Sequence, residues 1–246
     1  MAMRLDIAIS EKFGMTRNKS QAFIKDGLVR VDKIVIQKPS FEVKGDEICE
    51  LEEAKKVHWV SRSAGKLDGF LEELGMKNYE LPIIGTTCLD VGSSTGGFTQ
   101  VLLEHGAHHV DAVDVGTDQL HSMIRDDSRV KSYEKTDIRK FSSTSRYDII
   151  VCDASFISLK ELLPSILSFS NEKTEIILLW KPQFEVGKGN LRKTGVPKDE
   201  KTVGKYQKDW EVFLENNNCK ILHKQQSSVI GEAGNQEWLY RIKKEK

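Results

Sequence analysis

The 246-residue sequence lacks the features that mark membrane and secreted proteins. No apolar run approaches the ~18 residues that a bilayer-spanning helix needs; the longest runs are short segments such as residues 176–180. The first residues carry charges where a secretion signal would need an apolar segment. We therefore expect a cytoplasmic protein that does not enter membranes.

Cysteine pairs and an excess of one charge are also missing. The cysteines are widely scattered and form no CxxC pair: Cys49, Cys88, Cys152 and Cys219. This pattern favours buried, reduced thiols over a disulfide framework or a zinc site, and no metal is expected. The 37 basic and 37 acidic residues cancel, so only local patches of charge can indicate a nucleic-acid partner.

The first 50 or so residues have the pattern of a compact α+β unit. "MRLDIAISEKFG" and "MTRNKSQAFIKDG" each predict a short helix that ends at a glycine, with Thr16 as the N-cap of the second. Short strands follow, with a turn at residues 32–33. Basic residues concentrate on the second helix and the hairpin: Arg17, Lys19, Lys25, Arg30, Lys33 and Lys38. A solvated surface would explain them, but their separation from the later acids favours contact with RNA phosphates.

This stretch resembles the small RNA-binding domain named after ribosomal protein S-four. The matching pieces are "MRLDIAISE", "TRNKSQAFIKDGLVRVDK" and "QKPSFEVKGDEI", which cover most of residues 3–50. The family commonly turns on glycine where this chain has Lys33. The resemblance implies a domain at residues 1–55 that binds structured RNA, and residues 56–62 are expected to form a linker.

The remainder, residues 63–246, alternates helical segments with apolar strands. Examples of the strands are "TTCLDVG", "RYDIIVCDAS" and "TEIILLWKP". Short apolar strands separated by helices are typical of a parallel, doubly wound α/β sheet. Ligands of such sheets bind outside the carboxyl ends of the strands.

The turn in "CLDVGSSTGGFTQ" lies at such a strand end. Its glycines match neither the dinucleotide fingerprint G-x-G-x-x-G nor the phosphate-binding P-loop. The acids Asp90 and Asp114 end successive strands, which suits a ligand with a positive charge and a ribose diol but no phosphate. S-adenosylmethionine (SAM) is such a ligand. An ordinary tight connection is the alternative for the turn. Asp137 could hold the adenine amino group, and a surface ion pair with the neighbouring Lys135 or Arg139 is the alternative for it.

Charged residues end two further strands, Asp153 in "IIVCDASF" and Lys181 in "IILLWKPQFE". Both should lie at the carboxyl edge of the sheet, beside the ligand, and the alternative is one ion pair that caps the sheet. Lys66 and Glu237 are far from both in sequence, and spacing alone does not bring the four together.

From "HWVSRSAGKL" onward the chain resembles the TlyA, or haemolysin A, family of ribosomal RNA methyltransferases, whose catalytic domain is of the FtsJ type. The matching motifs include "CLDVGSSTGGFT", "CDASFISL", "LLWKPQFEVGKG" and "GNQEWL". The resemblance implies a Rossmann-like SAM-dependent methyltransferase domain at residues 63–246 and 2′-O-methylation of ribose, with cytidine of the small or large subunit as the acceptor. It puts the family's Lys-Asp-Lys-Glu tetrad on Lys66, Asp153, Lys181 and Glu237. It also implies a set of cofactor-binding residues: Asp90, Gly92, Ser93, Ser94, Gly96, Gly97, Phe98, Asp114, Asp137 and Asp153.

The expected chemistry needs a base for a ribose hydroxyl, and a lysine can serve if its pKa falls from about 10.4 toward neutrality. We assign Lys181 as the base, held by Asp153, with Lys66 and Glu237 assisting; the roles of the two lysines could be exchanged. Further RNA contacts are expected from exposed cations near the proposed site: Arg62, Lys188, Arg192 and Lys193. Two alternatives remain: an RNA-binding assembly factor with a vestigial site, and a haemolysin acting on membranes.

Overall fold

The computed structural model describes residues 3–14, 17–25, 28–44, 47, 49–51, 59–76, 81–231 and 233–245. The chain divides into two compact units, residues 1–58 and 59–246. The predicted caps of the second helix, Thr16 and Gly27, lie outside the described residues. Within the described ranges, no helix is both long and apolar enough to cross a membrane.

The N-terminal unit packs two helices on short strands. Its helices are α1 (Leu5–Phe13) and α2 (Arg17–Lys25), and its strands are β1 (Met3–Arg4), β2 (Val29–Val31), β3 (Ile34–Val35), β4 (Glu42–Val43) and β5 (Cys49–Leu51). β1 pairs with β4, and β2 pairs with both β3 and β5. Asp32 and Lys33 both have positive φ, which is the geometry of the tight two-residue hairpin predicted there.

A buried carboxylate ties the two helices together. Asp6 is fully buried, and its side-chain oxygens accept hydrogen bonds from Arg4 and Arg17 at 3.0–3.1 Å and from Gln21 at 2.6 Å. The arginines hold the pKa of this carboxyl well below its usual range. Because a buried charge needs such partners, Arg17 contributes to the fold as well as to the surface.

The C-terminal unit is built on one seven-stranded sheet in the order β11-β12-β10-β9-β6-β7-β8. Its strands are β6 (Thr87–Val91), β7 (His109–Val113), β8 (Val130–Tyr133), β9 (Ile149–Cys152), β10 (Glu175–Trp180), β11 (Cys219–Gln226) and β12 (Trp238–Lys244). The five strands from β6 to β10 are parallel, as predicted, whereas β12 runs antiparallel to both of its neighbours. β12 can reverse because it follows β11 without a crossover helix.

Helices cover both faces of this sheet. They are α3 (Ala64–Met76), α4 (Gly97–Glu104), α5 (Ser122–Arg125), α6 (Leu159–Ser168), α7 (Pro182–Glu185) and α8 (Glu200–Asn216). Along β10, Ile177 and Leu179 pack in the core with α3 and α4, whereas Ile176 and Leu178 pack in the core with α6 and α8. The doubly wound class expected from the sequence is therefore confirmed. The four cysteines are buried free thiols, also as predicted.

The chain order of the strands defines where a ligand would bind. From β6 the chain proceeds to β7 and β8 on one side of the sheet, and it then returns to β9 on the other side. The sheet therefore has its topological switch point between β6 and β9, where doubly wound sheets open a crevice at their carboxyl ends. Gly92 and Asp153 directly follow these two strands.

Candidate active site

The turn after β6 is shaped by close packing. Gly92 has a φ of 78°, and a Cβ there would lie 3.0 Å from the backbone of Ala154. At Gly97 a Cβ would overlap the hydroxyls of Ser61 and Ser63. These two glycines are therefore needed so that the turn can approach the loop after β9 and the segment before α3.

The three acids predicted around this turn differ in their environments. Asp90 is fully buried; its Oδ2 accepts a 2.6 Å hydrogen bond from Thr99, and its Oδ1 has no partner among the described residues. Burial raises the pKa of Asp90 to about 7. Asp114 is partly exposed and accepts backbone N–H bonds from Ser94 at 2.8 Å and Gly116 at 2.6 Å.

Asp137 forms a surface ion pair with Arg139, which was the alternative to a role in binding adenine. Arg139 Nη2 lies 2.6 Å from Asp137 Oδ2, and this guanidinium lowers the pKa of the carboxyl to about 2. Asp137 still lines the same cleft as Asp114. Any ligand that used the carboxylate of Asp137 would have to share it with Arg139.

The four predicted tetrad residues form two lysine–carboxylate pairs. Lys66 Nζ lies 2.6 Å from Glu237 Oε2, although the two residues are 171 positions apart. Lys181 Nζ lies 2.6 Å from Asp153 Oδ1. Lys66, Lys181 and Glu237 are buried, whereas Asp153 is partly exposed. All four line one cleft of about 630 Å³, which we call the lysine cleft.

A second cleft, of about 520 Å³, lies on the other side of the switch point. We call it the aspartate cleft, because Asp114 and Asp137 line it. The two clefts share part of their walls: Gly92, Ser94, Asp153, Ser155 and Phe156. Ligands in the two clefts would therefore meet beside Asp153 and Ser155. The predicted residues Ser93 and Phe98 are buried and line the lysine cleft.

Sequence reasoning missed three side chains of the lysine cleft. Ser155 Oγ accepts a 2.8 Å hydrogen bond from Lys181, and Gln183 donates one of 2.9 Å to Glu237. Phe156 is 91% exposed although it is aromatic, and its φ is +66°. These residues lie within the quoted motifs "CDASF" and "KPQFE", where only the charged positions had been selected.

The predicted RNA-binding residues lie in two groups, one on each unit. In the N-terminal unit Lys25, Lys33 and Lys38 are exposed, Arg30 is half-buried, and the side chain of Lys19 lies outside the described part. In the C-terminal unit the four predicted cations are exposed: Arg62, Lys188, Arg192 and Lys193. Arg62 lines the lysine cleft itself.

Comparisons with known proteins match residues 59–244 to the FtsJ-like methyltransferases and residues 3–49 to the S4 domain. The 23S rRNA (cytidine-2′-O)-methyltransferase TlyA of Campylobacter jejuni is 38% identical, over 97% of this chain and 98% of its own length. The 16S/23S rRNA (cytidine-2′-O)-methyltransferase TlyA of Mycobacterium tuberculosis is 41% identical, over 76% of this chain and 69% of its own length. The crystal structure of a candidate hemolysin from Lactococcus lactis, 36% identical, has a TM-score of 0.72 over 77% of this chain and 90% of that chain.

The chain therefore belongs to the FtsJ-like methyltransferase family and, within it, to the TlyA family, with an S4 domain at its N-terminal end. The family, the fold and the methyltransferase class expected from the sequence are confirmed.

Proposed function

We propose that this chain transfers a methyl group from SAM to a ribose 2′-hydroxyl of ribosomal RNA, with cytidine as the acceptor nucleotide. The observation that supports this best is the meeting of the two clefts beside the Lys181–Asp153 pair. A methyl donor in the aspartate cleft and a ribose in the lysine cleft would face each other there. We infer that the acceptor is a cytidine of rRNA because the two TlyA relatives are named for that substrate.

The residues around the turn after β6 fit SAM. Asp90 Oδ1 is a buried acceptor without a partner among the described residues; Asp90 lines neither cleft itself but precedes by two residues Gly92, which lines both, and its carboxylate would attract an ammonium group there. Asp114 ends β7, the position from which a carboxylate accepts ribose hydroxyls in nucleotide-binding sheets. When bound, SAM supplies a methyl group that its sulfonium has already activated.

Lys181 is the proposed base for the acceptor hydroxyl. Its partners Asp153 and Ser155 both belong to the wall that the clefts share, whereas Glu237, the partner of Lys66, lines only the lysine cleft. Lys181 is therefore the lysine beside the point of transfer. As the new O–CH₃ bond forms, the S–CH₃ bond of the donor breaks and S-adenosylhomocysteine leaves, while the neutral amine of Lys181 takes the proton from the 2′-hydroxyl.

The second pair positions the acceptor. Glu237 is held from two sides, by Lys66 at 2.6 Å and by Gln183 at 2.9 Å. An ammonium fixed in this way stabilises negative charge that develops on the ribose oxygen without having to move during the reaction. Most of the rate enhancement would still come from alignment of the two substrates.

Phe156 is proposed as a stacking surface for the acceptor base. An exposed ring held at positive φ is costly unless the site uses it, and Phe156 lies where the two clefts meet. Its ring centroid is 5.3 Å from that of Phe184, which also lines the lysine cleft. Aromatic faces are the usual surfaces on which unpaired RNA bases stack.

The S4 domain and the exposed cations of both units are proposed to bind the folded RNA. Because the net charge of the chain is zero, affinity would depend on these local patches and on the shape of the RNA. We expect the enzyme to work in the cytoplasm, where ribosomal subunits are available.

The test is transfer of radiolabelled methyl from SAM to purified, unmethylated ribosomal subunits. The product is digested to nucleosides, and 2′-O-methylcytidine is identified by mass spectrometry. Label on a ribose with the wild type and its loss with Lys181→Met would support the proposal. SAM binding without transfer to either subunit or to intact ribosomes would overturn it, and the RNA-binding-factor alternative would then be favoured.

A further inference from the structure

A third cleft of about 490 Å³ lies beside the lysine cleft and has no role in the proposed transfer. We call it the tryptophan cleft. It is enclosed by the segment before α8, by the start of α8 and by the segment before β12. The wall residues that matter here are Pro182, Pro197, Val203, Gly204, Asn235 and Trp238.

The two clefts adjoin each other. Asn235 lines both of them, and Pro182 directly follows Lys181 in the chain. A nucleotide in the lysine cleft would therefore have its neighbour along the RNA strand within reach of the tryptophan cleft.

The charged groups of the tryptophan cleft are largely engaged with the protein. Arg192 Nη2 donates to the carbonyl of Lys198 at 3.1 Å, and Lys198 Nζ donates to the carbonyl of Gly189 at 2.7 Å. Asp199 accepts from the backbone N–H of Thr202 at 2.7 Å. Two cations and two anions line the cleft, so it carries no net charge.

What remains combines flat apolar surfaces with amide side chains, those of Gln207, Gln226, Asn235 and Gln236. Among them Asn235 Oδ1 is a buried acceptor and Gln207 Nε2 a buried donor, each without a partner among the described residues. Trp238, Pro182 and Pro197 supply flat surfaces. Asn235 is only 3% exposed; its Nδ2 donates weakly to the carbonyl of Gly195 at 3.5 Å, and its Oδ1 has no partner among the described residues. A buried carbonyl oxygen of this kind calls for an N–H donor. A flat heteroaromatic ring with an N–H group has these properties.

The cleft is also preformed. Leu191 and Pro197 form an antiparallel bridge, and Arg192 N donates to the carbonyl of Val196 at 2.8 Å. Lys198 N donates to the carbonyl of Asn190 at 2.9 Å. Because the loop is braced by its own backbone, a ligand would not have to order it on binding.

We propose that the tryptophan cleft receives the base of a nucleotide adjacent to the methylated one and that Asn235 accepts a hydrogen bond from it. This inference rests on the proposed function. The enzyme would then recognise the base next to the methylated nucleotide as well as the methylated nucleotide itself. A base that presents an N–H group toward Asn235 would be favoured over one that does not.

Gly204 offers a way to fill the cleft without touching the lysine cleft. It lies on α8, it is exposed, and a Cβ added there meets no atom within 4 Å. Because Gly204 lines the cleft, Gly204→Phe adds a ring at the cleft wall, and Gly204→Ala is its matched control. Both replace a glycine inside a helix, which favours the helix, so folding is preserved.

The wild type, Gly204→Phe and Gly204→Ala are compared in methyl transfer to the ribosomal subunit that accepts the methyl group. We expect Gly204→Phe to raise the KM for the subunit about tenfold with unchanged kcat and SAM affinity, and Gly204→Ala to match the wild type. An equal KM for Gly204→Phe and wild type would overturn the inference. An equal loss in both variants would do so too, because the effect would then come from the helix.

RNA binding by the same proteins identifies which neighbouring base is involved. It also distinguishes a failure of the proposed function from a failure of this inference. The probe is an RNA fragment that contains the methylated nucleotide, either intact or with an abasic residue at one neighbouring position. One abasic position should weaken binding to the wild type about tenfold and cost Gly204→Phe nothing further. If the wild type binds the fragment but transfers no methyl to any subunit, the proposed function fails. The inference then fails as well if Gly204→Phe binds the intact fragment equally.

Discussion

Lys181 Nζ lies 2.6 Å from Asp153 Oδ1 and, at the same time, 2.8 Å from Ser155 Oγ. Both partners belong to the wall that separates the lysine cleft from the aspartate cleft. A neutral lysine has two N–H bonds and one lone pair. The N–H bonds of Lys181 are directed at Ser155 Oγ and, at 3.4 Å, at the backbone carbonyl oxygen of Asp153, so the lone pair of the neutral amine points in the remaining direction. The loop after β9 thereby orients the proposed base.

The first prediction separates the two lysines. Lys181→Met should lower kcat by about 10²–10⁴-fold, the range over which a positioned base contributes. Lys66→Met should lower it less, because Lys66 and its partner Glu237 do not border the aspartate cleft. Single-turnover methylation of ribosomal subunits measures both, with SAM binding by calorimetry as the control for folding. If Lys66→Met proved the more damaging change, the two roles would have to be exchanged.

The second prediction concerns Ser155 as a positioning residue. Ser155→Ala removes the 2.8 Å hydrogen bond from Lys181 and should lower kcat about tenfold, within the net value of one ordinary hydrogen bond, while KM for the subunit stays unchanged. Ser155→Thr keeps the hydroxyl and should retain most of the activity. A fall in kcat with unchanged KM, seen in Ser155→Ala and not in Ser155→Thr, would support a positioning role. Equal losses of activity in the two variants would contradict it.

The third prediction concerns pH and Asp90. Its folded pKa of about 7 lies above the ordinary value of 3.8, so the folded state keeps a proton that the unfolded state has already lost. Stability should therefore fall as pH rises from 4 to 7, by at most about 4 kcal/mol at full ionisation. Above pH 7 this group should cause no further loss. Asp90→Asn, which does not titrate, should show a smaller fall.

Thermal unfolding of the C-terminal unit between pH 5 and pH 8, without SAM, checks this expectation. The quantity compared is the slope against pH and not the absolute stability, because the amide also changes the hydrogen bond from Thr99. Parallel slopes in the wild type and Asp90→Asn would show that Asp90 is already ionised in the folded protein.

The fourth prediction tests the ring of Phe156. Phe156→Ala should weaken productive RNA binding by roughly 1–3 kcal/mol, the usual value of stacking one base on an aromatic ring. Phe156→Tyr keeps the stacking surface and should be nearly unchanged. Because the ring is 91% exposed, neither change should lower the melting temperature appreciably. A loss of stability comparable to the loss of activity would instead assign Phe156 a structural role.

Local sequence patterns predicted the parts of this fold that depend on periodicity and on turn chemistry. Apolar runs identified the strands β6, β7, β9 and β10, and the positions just after β9 and β10 identified Asp153 and Lys181 as edge residues. The reversal of β12 was not predicted, because strand direction depends on the path of the chain between strands. Helices α5 and α7 were missed because each has only four residues, and α6 was missed because Pro164 lies inside it.

The sequence by itself determined the order of the two domains, the doubly wound class and the charged positions at the strand ends, because these are properties of neighbours along the chain. Only the tertiary structure decided that Lys66 pairs with Glu237 across 171 residues and that Ser155 and Phe156 border both clefts. Such contacts depend on the order of the strands in the sheet and on the packing between them. A local pattern contains no information about either.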